Sequence, residues 1–444
     1  MQNQSMLSFS DEEKNYLQEQ FSTLLQNKNE DSSHREYYEE PAQGRSEWQR
    51  DYARVLYSSS YRRLQGKMQF LGLTQDAFYR NRLTHSHEVV QIAKTIAGSV
   101  RRALKNTADP TAGLDIYAAD MYVIETAALA HDIGNPPFGH AGEHKLNSLM
   151  KCWGGYEGNA QTVRVLRHLE RKSPLYSGLN LTRRSLLSVV KYNYSYIKNK
   201  DKFMYNDDYE FIQSIALNAN VKLRTIDAQI MDLADEIAYA AHDLEDALSL
   251  KLFTIDELLH EFKMHDKYKC VHDELNVIVN TAKAQAQQGE GFSSEDYSLY
   301  FRKALTSSIV DTLVRDIALV EVEEEDKKKT GTTMDRELGY AKLGMLALGL
   351  KKLTFKSLKR MDSVIIYEAR GKVIINSLFD FFMDKGKRGI DIIPQEFRID
   401  EYDNSKEEVL SRKVCDYIAG MMDSYAFSVY SKFFGVNKFE DIKI

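Results

Sequence analysis

Ala130-His131-Asp132-Ile133-Gly134-Asn135-Pro136-Pro137-Phe138-Gly139-His140-Ala141-Gly142-Glu143 decides how the chain is read. Met121 to Ala130, rich in Ala, Leu and Glu, predicts a helix running into it, and Gly142 to Met150 predicts a helix leaving it. Between them Gly134, Pro136, Pro137 and Gly139 must break the chain, because proline cannot donate into a helix and glycine suits a left-handed helix end. His131, Asp132, His140 and Glu143 therefore sit on a rigid turn between two helix ends. An imidazole followed by a carboxylate suits a hard or borderline divalent cation. Taken alone, His-Asp is a common dipeptide and reads equally as a polar helix-to-helix loop, so the remaining ligands have to come from elsewhere in the chain.

Composition bounds the search. The chain has 444 residues, 43% hydrophobic and 28% charged, enough for one large core or two to three domains. Only 6 prolines and 23 glycines are present, which is sparse for an all-β protein of this length. Cys152, Cys270 and Cys415 are far apart with no Cys-x-x-Cys pair, which argues for a reducing compartment and against a disulfide frame or a zinc–cysteine site. There is no apolar run of membrane-spanning length, and Met1-Gln2-Asn3-Gln4-Ser5 lacks a signal-peptide pattern, so the expected location is cytoplasmic with no membrane partner. A net charge of −6 offers no global basic field for nucleic acid. An anionic substrate would need a local basic pocket.

Working outward, Ser10 and Glu13 predict a capping box for a first helix ending near Gln26, followed by an exposed arm over Asn27 to Gly44. Arg54, Arg62, Arg63, Gln65 and Lys67 lie among apolar residues between Trp48 and Phe70; planar guanidinium groups suit phosphate oxygens, and snorkelling surface charges are the ordinary alternative. Asn81 to Lys105 predicts a long helix whose stripe Val89, Ile92, Ala93, Ile96 and Val100 faces inward. His85 lies near that stripe and Arg82 shares its face, whereas His87 points elsewhere. The glycine-rich turn Trp153 to Gly158 lacks the Gly-Lys-Ser/Thr of a phosphate loop and reads as a linker delivering Asn159 and Gln161 to a helix. Ser185 to Glu210, rich in Tyr and Lys, reads as a base-stacking surface or, more simply, a partly exposed loop.

Arg224 to Leu250 predicts a helix with an apolar stripe and a crowded acidic face. Asp235, Tyr239 and Asp243 form one row at four-residue spacing. A solvated acidic face would be the plain reading, but a tyrosine interrupts it and there is almost no Lys or Arg from Asp227 to Leu250 to balance it. Further on, Val364-Ile365-Ile366 and Val373-Ile374-Ile375 predict a short β-hairpin turning at Ala369-Arg370-Gly371, and Lys406 to Phe434 predicts a terminal helix or helix pair.

The order His85, His131-Asp132, Asp235 resembles the signature of the HD-domain metal-dependent phosphohydrolases. Arg82-Leu83-Thr84-His85-Ser86, the long central turn, Glu157-Gly158-Asn159-Ala160-Gln161, Ala234-Asp235-Glu236-Ile237-Ala238-Tyr239 and Tyr417-Ile418-Ala419-Gly420-Met421 resemble the deoxynucleoside triphosphate triphosphohydrolases of the dGTPase type, from about Arg50 to Gly435. The resemblance implies an all-α fold: an HD-domain helical bundle over 51–260, preceded by a helix and arm over 1–50 and followed by a C-terminal helical region over 261–444. It implies hydrolysis of a dNTP, dGTP foremost, to a deoxynucleoside and inorganic triphosphate. His85, His131, Asp132 and Asp235 would hold one divalent metal ion, with Mg, Mn, Fe and Zn all open. His140 and Glu143 match the catalytic pair, Arg82 a phosphate contact, Gln65 a reader of the sugar 3′-hydroxyl, and Tyr239 the ring under the deoxyribose. Asp243 would share the sugar edge, and Asn159 and Gln161 the phosphate side.

The resemblance also implies a homo-oligomer, hexamers being known in the family, and a dNTP or single-stranded DNA effector, for which Lys191 to Lys202 is the candidate stretch. One departure stands out. The family often continues Gly-Met with Thr-Asp-Arg-Tyr, where this chain has Met422-Asp423-Ser424-Tyr425, so any role of that arginine is in doubt, with Arg412 the only substitute in view. The competing readings are an HD hydrolase of another nucleotide phosphoester, and a nucleotide- or single-stranded-DNA-binding regulator with a decayed site.

Overall fold

A computed structural model describes residues 7–25, 34–41, 43–69, 80–104, 116–288, 293–384, 392–397 and 407–435. The fold is all-α, as the resemblance implies, with a single two-stranded sheet among the described residues. Its centre is the helix Ile226–Ser249, which packs against Arg82–Leu104, Ile116–Ala130, Ser294–Arg315 and Gly344–Leu358. Burial on every side explains its small residues: Ala234, Ala238, Ala240 and Ala241 are all fully buried and let neighbouring helices approach. Its acidic residues are balanced from other elements, by Lys191, Arg80 and Arg224.

The first helix, Asp11–Leu25, begins at the expected capping box, with Ser10 and Glu13 exchanging backbone-to-side-chain hydrogen bonds. Residues 27–33 and 42 of the expected arm lie outside the described residues, but 34–41 are tied down rather than free. Arg35 is buried on Asp51 and the carbonyl of Asn180, and Glu39 takes Arg50 and Arg54. Arg54 also donates to the carbonyls of Leu179 and Asn180. That guanidinium is therefore committed to folding the arm onto the core and is unavailable to a phosphate.

The hairpin expected around Ala369-Arg370-Gly371 is not there. Asp362–Met383 is one continuous helix, and its Val364, Ile374, Ile375, Leu378 and Phe382 form a buried face. Gly371 is not a turn residue but a close approach: a Cβ there would stand 2.5 Å from Phe138 Cγ. β-branched runs favour strands only weakly against such packing. The antiparallel pair that does form is Ile317–Glu321 with Arg336–Tyr340, Leu319 opposite Leu338. The charge block lies between these strands as a short helix, Glu324–Thr330, with acids in its first turn and lysines in its last, the order its dipole favours. The Tyr-rich stretch is partly core: Phe203 and Tyr205 are buried.

Candidate metal centre and acid–base pair

Three elements converge on one buried point. The helix Arg82–Leu104 brings His85, the turn after Ile116–Ala130 brings His131, and Ile226–Ser249 brings Asp235. His85 Nε2 is 3.2 Å from Asp235 Oδ1, and His131 Nε2 is 3.4 Å from the same oxygen. One ligand atom from each residue lies within 4.8 Å of the other two. The carbonyl of Ala128, 2.7 Å from His131 Nδ1, accepts that nitrogen's proton, which leaves Nε2 as the lone-pair side. Nε2 is buried and makes no hydrogen bond. An unpartnered imidazole nitrogen facing a shared carboxylate oxygen is a donor set that a divalent cation completes.

Asp132 stands beside this group rather than within it. Its Oδ1 is 3.6 Å from His131 Nε2 and accepts from the Asn135 amide, while Oδ2 is paired with Arg82. Lys191 donates to Asp235 Oδ2 at 2.6 Å. Burial would raise both carboxyl groups, but Arg82 beside Asp132 and Lys191 beside Asp235 outweigh it and hold both below the ordinary range. Burial lowers His85 and would lower His131, yet Asp132 and Asp235 push His131 up. The imidazole thus sits in a net negative field, which a cation would relieve.

The second cluster begins where the turn re-enters helix. Phe138, with φ 64°, is held left-handed although it is not glycine. The following helix, Gly139–Leu149, places His140 and Glu143 one turn apart. His140 Nδ1 and Glu143 Oε2 are 3.1 Å apart, and Glu143 Oε1 accepts the Gly158 N–H at 3.1 Å. Burial raises the Glu143 carboxyl, but the His140 hydrogen bond, Lys202 and the Gly158 amide overcome it and hold it down at about 2. The His140 side chain is 59% exposed, so its Nε2 edge is open to an incoming group. Arg82, paired with Asp132, also reaches toward the start of this helix: its Nη2 lies 4.0 Å from where a Cβ on Gly139 would stand. Within the turn, Gly134 donates to Thr162 Oγ1 and accepts from Tyr156, so tightly that a Cβ would fall 2.2 Å from the Gly158 carbonyl oxygen.

The other expected residues divide. The Tyr239 ring is 5.0 Å from that of His85, and the Lys351 ammonium lies 4.4 Å above it. Asp243, one turn on, has a buried and unpartnered Oδ1, and burial followed by Asp246 raises it well above the ordinary carboxyl range. Gln65 is exposed in the tight turn Leu64–Gly66. Asn159 donates to Glu157 at 2.8 Å. Gln161 is buried with both ends engaged, by Asp416 and Tyr205, and so faces the C-terminal helix rather than the metal centre. Arg412 donates to the carbonyls of Trp153 and Gly155, a structural use that keeps it from replacing the absent arginine.

Sequence reasoning missed Lys191, Asn135, Lys351 and Phe355. Lys191 closes the buried run Leu186 to Val190, and a lysine ending such a run had to find a partner inside. Lys351 and Phe355 are one turn apart on Gly344–Leu358, the first over Tyr239 and the second 6.1 Å from the His140 ring. This helix walls both clusters.

Comparison with known proteins agrees with the geometry. Residues 82–240 match the HD domain, and residues 343–432 match the phosphohydrolase-associated domain. A deoxyguanosinetriphosphate triphosphohydrolase-like protein 2 of Vibrio cholerae is 46% identical over 394 residues, 88% of this chain and 89% of its own. A deoxyguanosinetriphosphate triphosphohydrolase-like protein of Shewanella baltica strain OS185 is 33% identical over 445 residues, covering 88% and 92%. One of Deinococcus radiodurans, also a like protein 2, is 31% identical over 427 residues with the same coverage. The chain belongs to the HD-domain family of deoxyguanosinetriphosphate triphosphohydrolase-like proteins.

Proposed function

We propose that this protein hydrolyses deoxynucleoside triphosphates, dGTP foremost, to the deoxynucleoside and inorganic triphosphate. The observation that carries the reading is the convergence of His85, His131 and Asp235 beside an Arg82-bound Asp132, with Arg82 also reaching toward Gly139, the residue before His140 of the hydrogen-bonded pair His140–Glu143. His85, His131, Asp132 and Asp235 would hold one divalent ion. When bound, that ion supplies Lewis-acid polarisation of the α-phosphate and a water of lowered pKa.

The remaining work falls to side chains. Water oxygen bonds to the α-phosphorus, the bond to the 5′-oxygen breaks, and that oxygen leaves with a proton. His140, open at Nε2 and held at Nδ1 by Glu143, either gives that proton or takes one from the attacking water. Glu143, held ionised, fixes the orientation of the imidazole through its Nδ1. Tyr239, half-buried against His85, would offer a flat surface for a deoxyribose and clash with a 2′-hydroxyl. Lys351, over that ring, and Arg82, on Asp132, would supply positive charge to an anionic substrate.

The test is incubation with each of the four dNTPs and Mn²⁺ or Mg²⁺, followed by product analysis. Free triphosphate with deoxynucleoside is the expected result. Orthophosphate or pyrophosphate with a shortened nucleotide would refute it.

A further inference from the structure

The motif in which this chain departs from its family contains a group that the proposed mechanism does not use. Asp423 opens the helix Asp423–Phe434 but caps nothing in it. Its side chain is 2% exposed and turned to three other segments. Oδ1 accepts the Phe138 N–H at 3.0 Å, and Oδ2 accepts the Met68 N–H at 2.9 Å and the Tyr367 hydroxyl at 2.7 Å. Phe138 is the left-handed residue two positions before His140, and the helix it starts has no side-chain cap of its own. Met68 lies three positions after Gln65, in the segment whose Lys67 carbonyl accepts the Arg82 N–H. The Phe138 ring packs on Tyr367 and on bare Gly371.

A left-handed conformation at a bulky residue is unfavourable and persists only where its surroundings over-determine it. We infer that Asp423 is a positioning residue: it clamps Phe138 in the left-handed conformation and joins the Met68 segment to it, and so sets the direction in which His140 and Glu143 leave the turn. The carboxylate is suited to this because it has two oxygens and no donor, and it serves three donors at once. An isosteric amide has one acceptor oxygen and would present an N–H₂ to a backbone N–H. The catalytic pair is therefore aimed by the C-terminal region, while the metal ligands are aimed by the core helices.

This inference rests on the assignment of His140 and Glu143 as the reacting pair, and its test has an arm that does not. In D423N, hydrogen–deuterium exchange should rise in peptides covering 136–143 and 66–69 and stay unchanged in 86–100 and 226–245. Bound metal per chain should stay at the wild-type value. With the best dNTP, kcat should fall about 10- to 100-fold with KM within about twofold, the range expected for a reacting group misplaced by roughly an ångström. Tyr367→Phe, which deletes one of the three donors and keeps the packing, should show the same split at about threefold, and it carries the comparison if D423N is insoluble. Unchanged exchange over 136–143 overturns the clamp, as does exchange that rises through the whole core, or metal loss in step with kcat. If the wild type cleaves no dNTP while D423N still loosens only 136–143 and 66–69, the hydrolase reading fails and the clamp stands.

Discussion

Gly371→Ala sets helix propensity against packing, and the structure says which wins. Gly371 lies in the interior of the Asp362–Met383 helix, where alanine is ordinarily worth about 1 kcal/mol more than glycine. The added methyl would stand 2.5 Å from Phe138 Cγ, 2.6 Å from its Cβ and 3.0 Å from Cδ1. Those are the root of a buried side chain, not the end of a flexible one, so Phe138 cannot swing clear without moving its backbone. That backbone is left-handed and bonded to Asp423. Overpacking of this kind costs roughly 1–3 kcal/mol, which cancels or exceeds the propensity gain and leaves a net loss of about 0–2 kcal/mol. The effect on turnover should be larger than on stability, because the displaced residue starts the helix that carries His140. The assay pairs a denaturant midpoint with kcat and KM for the preferred dNTP. The expected result is a slightly lower midpoint with kcat down at least about tenfold. A variant that is stabilised by about 1 kcal/mol with unchanged kcat would show that Phe138 yields freely, and would refute the link from Gly371 through Phe138 to the reacting pair.

His131→Ala should abolish both turnover and metal retention, read by elemental analysis of the purified protein; undiminished activity would remove His131 from the ligand set. Tyr239→Ala should raise GTP turnover relative to dGTP while leaving metal content alone; an unchanged ratio would mean that ribose exclusion lies elsewhere. For Glu143→Gln the linkage is signed by a lowered folded-state value, about 2 against an ordinary 4.5, so the carboxylate stabilises the fold above pH 4.5 and loses that effect as pH falls toward 2. That difference corresponds to about 3 kcal/mol at pH 7, narrowing by about 1 kcal/mol at pH 4, measured by denaturant unfolding at the two pH values; a pH-independent difference would contradict it.

What could be read from the sequence was whatever repeats within one element or lies contiguous in the chain. The His131 to Glu143 turn announces itself because Gly, Pro, His and Asp leave few local conformations open. His85 could be placed inward because it lies near the aliphatic stripe of its helix, whereas Asp235, on an acidic face, was assigned only through the resemblance to the family. What could not be read depends on partners far away. Arg54 looks like a phosphate ligand until Glu39 and the Leu179 and Asn180 carbonyls are seen around it. Gln161 sits in a motif of the family, yet its amide is bound to Asp416 across the chain. The two Val-Ile-Ile runs favour strands locally, and only the Phe138 ring pressed against Gly371 explains why a helix passes there.

The same distinction separates the two halves of the site. The proposed metal ligands are fixed by helices that pack directly on one another: Ile226–Ser249 touches both Arg82–Leu104 and Ile116–Ala130. The helix carrying His140 and Glu143 packs instead against Asp362–Met383, inside the region that matches the phosphohydrolase-associated domain. Metal affinity and proton transfer should therefore respond to different mutations. On the proposed mechanism, changes in the core helices would act on both, since the reaction would need the ion, whereas changes around Asp423, Tyr367 and Gly371 would spare the ion and act on the proton. A motif scan that scores only the four HD residues would call a chain with a damaged C-terminal clamp intact, and the physical chemistry of this turn says it would bind metal and turn over slowly.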